Sequence, residues 1–146
     1  MIRELQDSDV AACVKIVEMN WGEPVAQRFL DEVRHAFMPH ITYHPTYYVY
    51  EHKKKVVAFA GMMPSCIWHG LWEFIWINVH PKHVGKNIGT KLTKHRIHEV
   101  MKRDGTAIHL MTREKLFFVK LGFEEIHYYK WGDCSVMSMQ LKEMVL

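Results

Sequence analysis

The sequence predicts a mixed α/β fold, one sheet flanked by helices, with its elements in the order βααβββαβαββ. Three observations lead there. Two helix-periodic segments come early, with apolar residues at i, i+3, i+4 and i+7. Three strand-like runs bounded by turn residues follow without a helix between them. A further helical segment then begins just after the most apolar of those runs. The 146 residues hold no repeat, low-complexity tract or long linker, so one domain spanning residues 1–146 is expected.

Residues 1–6 read as a short opening strand. Asp7 or Ser8 can cap the helix that follows, whose buried face would be Val10, Cys13, Val14 and Val17. Trp21-Gly22-Glu23 interrupts it. Pro24 suits the first turn of a second helix with the face Ala26, Phe29, Leu30, Val33 and Phe37, ended by Met38-Pro39. Thr46–His52 is rich in Tyr and Val, Lys53-Lys54-Lys55 reads as an exposed hairpin tip, and Val56–Cys66 is the return strand. After a turn at His69-Gly70, Leu71–His80 carries large residues on both faces, the pattern of a central strand. From Asn87 to Asp104 the spacing turns helical, with Gly105 as the stop. Ala107–Thr112 is a short apolar strand in which His109 is expected as a satisfied core histidine. Arg113–Leu121 is a short helix stopped by Gly122. Phe123–Trp131 and Ser135–Leu141 form a closing antiparallel pair around Gly132-Asp133.

Composition excludes several classes. Apolar residues make up 49% and charged residues 24%, which is not the balance of a disordered tail. No apolar run approaches the roughly 20 residues a membrane helix needs, so no membrane partner is expected. The N-terminus MIRELQDSDV is charged from its third residue and lacks an apolar signal core. Three widely spaced cysteines (Cys13, Cys66, Cys134) without a CxxC pair suit a reducing compartment, and a cytoplasmic location is expected. A formal charge of +3 gives a nucleic-acid partner little support. Its distribution says more. Residues 1–40 carry seven acids against four bases, and residues 81–115 carry nine bases against three acids. That asymmetry points to a polyanionic ligand bound late and a cationic one bound early.

Chemistry concentrates in Ile77–Leu92, INVHPKHVGKNIGTKL: a central strand, a Pro-containing turn, two glycines four apart and a basic helix. A helix N-terminus offers unpaired backbone N–H groups and partial positive charge, which suits phosphate. Glycines there permit close backbone approach and positive φ. By spacing alone, such a turn serves as often as a plain connection.

The stretch V-x-P-x-x-x-G-x-x-I-G, at Val79, Pro81, Gly85, Ile88 and Gly89, resembles the acetyl-CoA-binding motif of the GNAT superfamily of N-acetyltransferases. Phe117–Phe123 (F-F-V-K-L-G-F) is similar to that family's F-Y-E-K-L-G-F segment, and the element order matches as well. The resemblance implies acetyl-CoA as cosubstrate. It implies Ile77, Asn78 and Val79 along the pantetheine arm, and Val84, Gly85, Lys86, Asn87, Ile88, Gly89 and Thr90 around the pyrophosphate. Phe118 and Lys120 would also contact the cofactor. The central strand would splay near Ile77–Val79, and the Val79 N–H would polarise the thioester carbonyl. Three positions depart from the family. Val84 stands where Gln or Arg is usual, and Asn87 where Gly is usual. Phe118 replaces a tyrosine that protonates the leaving thiolate.

The implied reaction moves an acetyl group to a primary amine by direct attack in a ternary complex. The acceptor would be a small cationic amine or a protein lysine or N-terminus, and the acidic first forty residues suit a cation. Glu73 is the candidate base: the only acid between Glu51 and Glu99, among Trp72, Phe74, Ile75 and Trp76, six residues before Val79. Apolar neighbours raise a carboxyl pKa. Its plain alternative is a solvent-facing strand carboxylate. Two other functions compete: a catalytically weakened CoA-binding or protein-interaction module, favoured by Phe118, Val84 and Asn87, and an aminoacyl-tRNA acetylating toxin. His80 with His83, and His95 with His98, lack the further ligands of a closed metal site, so no metal is expected. Trp21, Phe37, Tyr43, Tyr47 and Tyr48 suit either an acceptor pocket or core packing. The closing strands offer an edge for a homodimer.

Overall fold

A three-residue strand holds its place only by pairing, and β1 (Ile2–Glu4) pairs with β2 (Thr46–His52) in the computed structural model, which describes residues 1–39 and 42–142. Arg3 of β1 secures this corner. Its guanidinium donates to both Asp9 carboxylate oxygens, at 2.7 and 3.0 Å, and to Glu51 Oε1 at 2.7 Å.

Helix α1 (Val10–Trp21) ends at Gly22, whose φ of +91° is open to glycine alone at little cost, and α2 (Glu23–Val33) starts at once. The predicted second helix is too long. Arg34–Phe37 tightens into a 3-10 turn, and its threefold winding swings Phe37 off the buried stripe into solvent. Strand β2 turns into β3 (Lys55–Pro64) through Lys53 and Lys54, both at positive φ, while Lys55 already belongs to β3. Then come β4 (Leu71–Val79), α3 (Ile88–Lys102), β5 (Ala107–Thr112), α4 (Lys115–Val119), β6 (Glu124–Tyr129) and β7 (Cys134–Gln140). The predicted order βααβββαβαββ is the observed one. Helix α4 is shorter than Arg113–Leu121, because the Glu114 N–H turns back onto Thr112 Oγ1 before the helix begins.

The seven strands form one sheet in the order β1-β2-β3-β4-β5-β7-β6. Only β4 and β5 run parallel, joined across one face by α3. Side-chain alternation gives each face its own core. Helices α1 and α2 bury Cys13, Ile16, Val17, Ala26, Phe29 and Val33 against Tyr47, Val49 and Phe59. Helices α3 and α4 bury Ile88, Leu92, Val100 and Phe118 against Tyr48, Ala58, Met62, Phe74 and Ile108. His109 is half-buried rather than in the core. Its neighbours Ile108 and Leu110 turn toward α3, so His109 takes the other face, where α1 packs on β3 and β4 but does not extend over β5.

The Arg3 hydrogen bonds hold the Asp9 carboxyl below its ordinary value of 3.8. A depressed carboxyl contributes stability that is complete above its unfolded pKa, about 4, and is lost as pH falls through the folded value. Arg3→Gln should therefore lower the melting temperature at pH 7 and flatten the loss of stability between pH 5 and 2. A variant melting curve with an unchanged acid limb would contradict the assignment.

Candidate active site

Strands β4 and β5 pair only at Leu71–Ala107, Trp72–Ile108 and Glu73–His109. Beyond that point they part. The cause lies on β4, where Gly61 of β3 faces Ile75 but Phe59 faces Asn78, so two residues, Trp76 and Ile77, stand opposite Ala60. Trp76 sits at φ +52°, a left-handed conformation costly for an aromatic residue. Helix α2 holds it there. The Trp76 Nε1–H donates to the Glu32 carboxylate, its ring meets Phe29 at 5.1 Å, and the Arg28 guanidinium lies 5.5 Å from its centre.

The bulge also re-aims the backbone. The His80 N–H donates to the Val57 carbonyl at 2.8 Å. By antiparallel alternation Ala58–Val79 is then a pair without mutual hydrogen bonds, so the Val79 N–H and C=O face away from β3, into the gap. Asn20 Nδ2 donates to the Val79 carbonyl at 3.0 Å, which leaves the N–H for a ligand. Buried Asn78 ties the same end of β4 to α1: its Oδ1 accepts from Trp21 Nε1 at 2.9 Å and from Asn20 Nδ2 at 3.1 Å.

Two adjoining cavities occupy the gap, the inner about 600 Å³ and the outer about 750 Å³. They share Trp21, Ile77, Asn78, Thr112, Glu114 and Phe118 and form one groove. The outer part runs past Val79, Val84 and Gly85 to the start of α3. Asn87 precedes that helix at φ +66°, and no side chain caps it, so the first amides of α3 at Ile88, Gly89 and Thr90 have no intrahelical partner. At Gly85 a Cβ would meet nothing within 4 Å, and φ is +84°. Open space, a left-handed bend and free amides make an anion cradle. A diphosphate fits it.

Of the residues expected at the cofactor, Ile77, Asn78, Val79, Val84, Gly85, Asn87, Ile88, Gly89, Thr90 and Phe118 line the groove. Lys86 and Lys120 are exposed and do not, and Lys86 Nζ instead lies 3.5 Å from His83 Nδ1. Glu73 lines neither cavity. It is half-buried at the last β4–β5 pair, side by side with His109, with no ion pair or hydrogen bond among the described residues. Of the aromatic set, Trp21 reaches the groove, Tyr47 and Tyr48 are core, and Phe37 and Tyr43 are exposed away from it. Phe118, 3% exposed, packs edge-on against Phe117 and Phe123.

Sequence reasoning missed Arg28, Arg96, Arg113 and Glu114 in the groove wall. Arg96 was discoverable: Ile88, Leu92, Arg96 and Val100 recur at i+4, which puts the arginine on the apolar stripe of α3. It is 1% exposed, with Nη1 donating to the Gly61 carbonyl at 2.9 Å and its Cζ 4.1 Å from the Phe74 ring centre. Burial lowers its pKa without discharging it at neutral pH. Among the described residues no group of three or more His, Cys, Asp or Glu is arranged to hold a metal, and no helix is long and apolar enough to cross a membrane.

A parted parallel strand pair beside an uncapped helix end is the defining geometry of the site. Residues 44–125 match the acetyltransferase (GNAT) domain, and the chain belongs to that family. An aminoglycoside 6'-N-acetyltransferase complexed with coenzyme A superposes with a TM-score of 0.83 at 17% identity, covering 99% of both chains. The yncA protein of Salmonella typhimurium with its cofactor acetyl-CoA gives 0.77 at 20%, covering 100% of this chain and 96% of that one. The ribosomal-protein-S18-alanine N-acetyltransferase of Escherichia coli gives 0.74 at 18%, over 99% and 96%. These likenesses show the fold. No curated protein matches the sequence.

Asn78→Leu should take from Trp21 Nε1 its acceptor, leave Asn20 Nδ2 with the Val79 carbonyl alone, and destabilise the protein by about 1 kcal/mol. Urea unfolding measures this, and an unchanged midpoint would dismiss the clamp.

Proposed function

We propose that the chain is an acetyl-CoA-dependent N-acetyltransferase for primary amines, a single domain over residues 1–146. One observation carries the reading: the parting of β4 and β5, which joins a free helix N-terminus to an inner cavity walled by a carboxylate. The coenzyme A and acetyl-CoA held by structures of the same fold support it.

The amides of Ile88, Gly89 and Thr90, with Gly85, would hold the diphosphate, and Ile77–Val79 would pair with the pantetheine arm. Asn87 supplies the left-handed residue, because Asn tolerates that conformation better than other non-glycine residues. Acetyl-CoA supplies an activated acyl carbon and a thiolate leaving group. The Val79 N–H, which faces away from β3, would polarise the thioester carbonyl. An acceptor amine of pKa about 10.4 must first lose a proton. Glu114 lines both cavities and is the carboxylate best placed to take it; Glu73, at the foot of the gap, would act through water. As the C–N bond forms the C–S bond breaks, and Phe118 has no proton to give the sulfur. Thr112 contributes the hydroxyl of the shared wall. A second reading, a binding module without turnover, is favoured by Phe118 alone.

Purified protein with acetyl-CoA should release CoA thiol when a broad amine panel is added, and no release from any amine would overturn the reading. Glu114→Gln should cut kcat at least tenfold and move the remaining activity to higher pH, with Glu73→Gln the milder change; the reverse order gives Glu73 the base role. Asn87→Val should weaken CoA binding about tenfold by calorimetry, because a β-branched residue resists left-handed φ, whereas Asn87→Gly should not.

Phe118→Tyr separates the two readings. In an enzyme limited by thiolate departure it raises kcat severalfold. In a pure binding module it changes CoA affinity at most.

A further inference from the structure

The chain has six arginines. Arg3 is paired with Asp9 and Glu51, Arg34 with Asp31, and Arg103 with Glu99. The other three, Arg28, Arg96 and Arg113, have no carboxylate within ion-pair distance among the described residues, and all three line the inner cavity. Glu114 is the one carboxylate in that wall, which holds no Lys, Asp or His. The two arginines nearer solvent are exposed, whereas Arg96 is buried with its Nε, Nη1 and Nη2 satisfied only by neutral acceptors: the Leu92 and Gly61 carbonyls and the Thr93 hydroxyl.

This charge pattern bears on the acceptor. A buried cation such as Arg96 without a counter-ion is costly, and a cleft with a surplus of two positive charges repels an ammonium-rich ligand. The acids of the first forty residues do not offset it: Asp9 is tied to Arg3, Asp31 lies by Arg34, Glu32 accepts from Trp76, and none of the seven lines either cavity. The cationic acceptor expected from the sequence therefore meets the wrong field. A carboxylate meets the right one, since guanidinium groups bind it through paired N–H donors.

Resting on the transferase reading above, we propose that the acceptor is an amine bearing a carboxylate, an amino acid or a close analogue. Arg28 and Arg113 grip the carboxylate at the cavity wall, with Arg96 behind them. Trp21 and Trp76 flank the remainder of the molecule. The amine is left to face Glu114.

The test compares kcat/KM for CoA release across matched amines: 5-aminopentanoate, 5-aminopentanamide and 1,5-diaminopentane; L-phenylalanine, its amide and 2-phenylethylamine; and 2-aminoethyl phosphate. The carboxylate should exceed its amide at least tenfold and the diamine by more. Arg113→Gln should raise KM for the carboxylate about fivefold, with kcat within twofold and the amide unaffected, whereas Arg28→Gln, which also frees the Trp76 ring, should raise that KM and lower kcat for the carboxylate and the amide alike. Arg34→Gln, on the surface outside the groove, should change nothing. Equal or better use of the amide, the diamine or the phosphate overturns the proposal. So does a rise in KM for acetyl-CoA instead of the amine, which would give these arginines to the cofactor. If no amine turns over, 5-aminopentanoate is titrated into the protein with CoA. Heat that Arg113→Gln removes upholds the carboxylate site and overturns the transferase reading; no heat overturns the site.

Discussion

Trp76 in a left-handed backbone conformation, inserted as an extra residue in β4, is the constraint from which the rest of the site follows. A regular β4 would keep its ladder with β3 in phase and could continue beside β5. The extra residue increases twist and bend, and β5 loses contact after Glu73–His109. Main-chain donors that a complete sheet would satisfy internally are thereby left for a ligand. Such a conformation persists only where surrounding structure over-determines it. Here α2 does so through Glu32, Phe29 and Arg28, and α1 fixes the far end of the strand through Asn20 and Trp21.

The two faces of the sheet then divide the labour. On the α3 side the helix N-terminus, Gly85 and Asn87 form a neutral cradle built from backbone, with partial positive charge from the helix end. Nothing there depends on a basic side chain, which is why the exposed positions of Lys86 and Lys120 leave it intact. Deeper in the gap the charges are formal and come from side chains of α2, α3 and the β5–α4 turn. Three guanidinium groups without ion pairs among the described residues, against one carboxylate, give the cleft a positive field, and buried Arg96 is the member least screened by water. The net charge of the chain gives no hint of this.

Phe118 packs between Phe117 and Phe123 in a buried position that also walls both cavities. A phenylalanine fills that space without a hydroxyl, so under the proposed reaction it offers the sulfur no proton. The other shared groups able to handle a proton are Thr112 and Glu114. These residues sit on the β5–α4 turn rather than on α4.

Local pattern carried the order of elements and the β4–turn–α3 segment, because periodicity, turn residues and backbone preference act within a few positions along the chain. Thr46–His52 and Ala107–Thr112 were legible to the residue for the same reason, whereas Phe123–Trp131 ran past its strand into the 3-10 turn Lys130–Gly132. The overlong second helix failed where 3-10 winding changed the phase of Phe37, and His109 failed because no helix covers β5 on its face. The base candidate and the acceptor's charge were read from composition along the chain. Which charged side chains line the gap depends instead on convergence across elements: Glu114 and Arg113 after β5, Arg28 from α2, Arg96 from the core of α3. Their approach is fixed by how far β4 and β5 diverge, and a bend in one strand sets that distance only once its neighbours are in place.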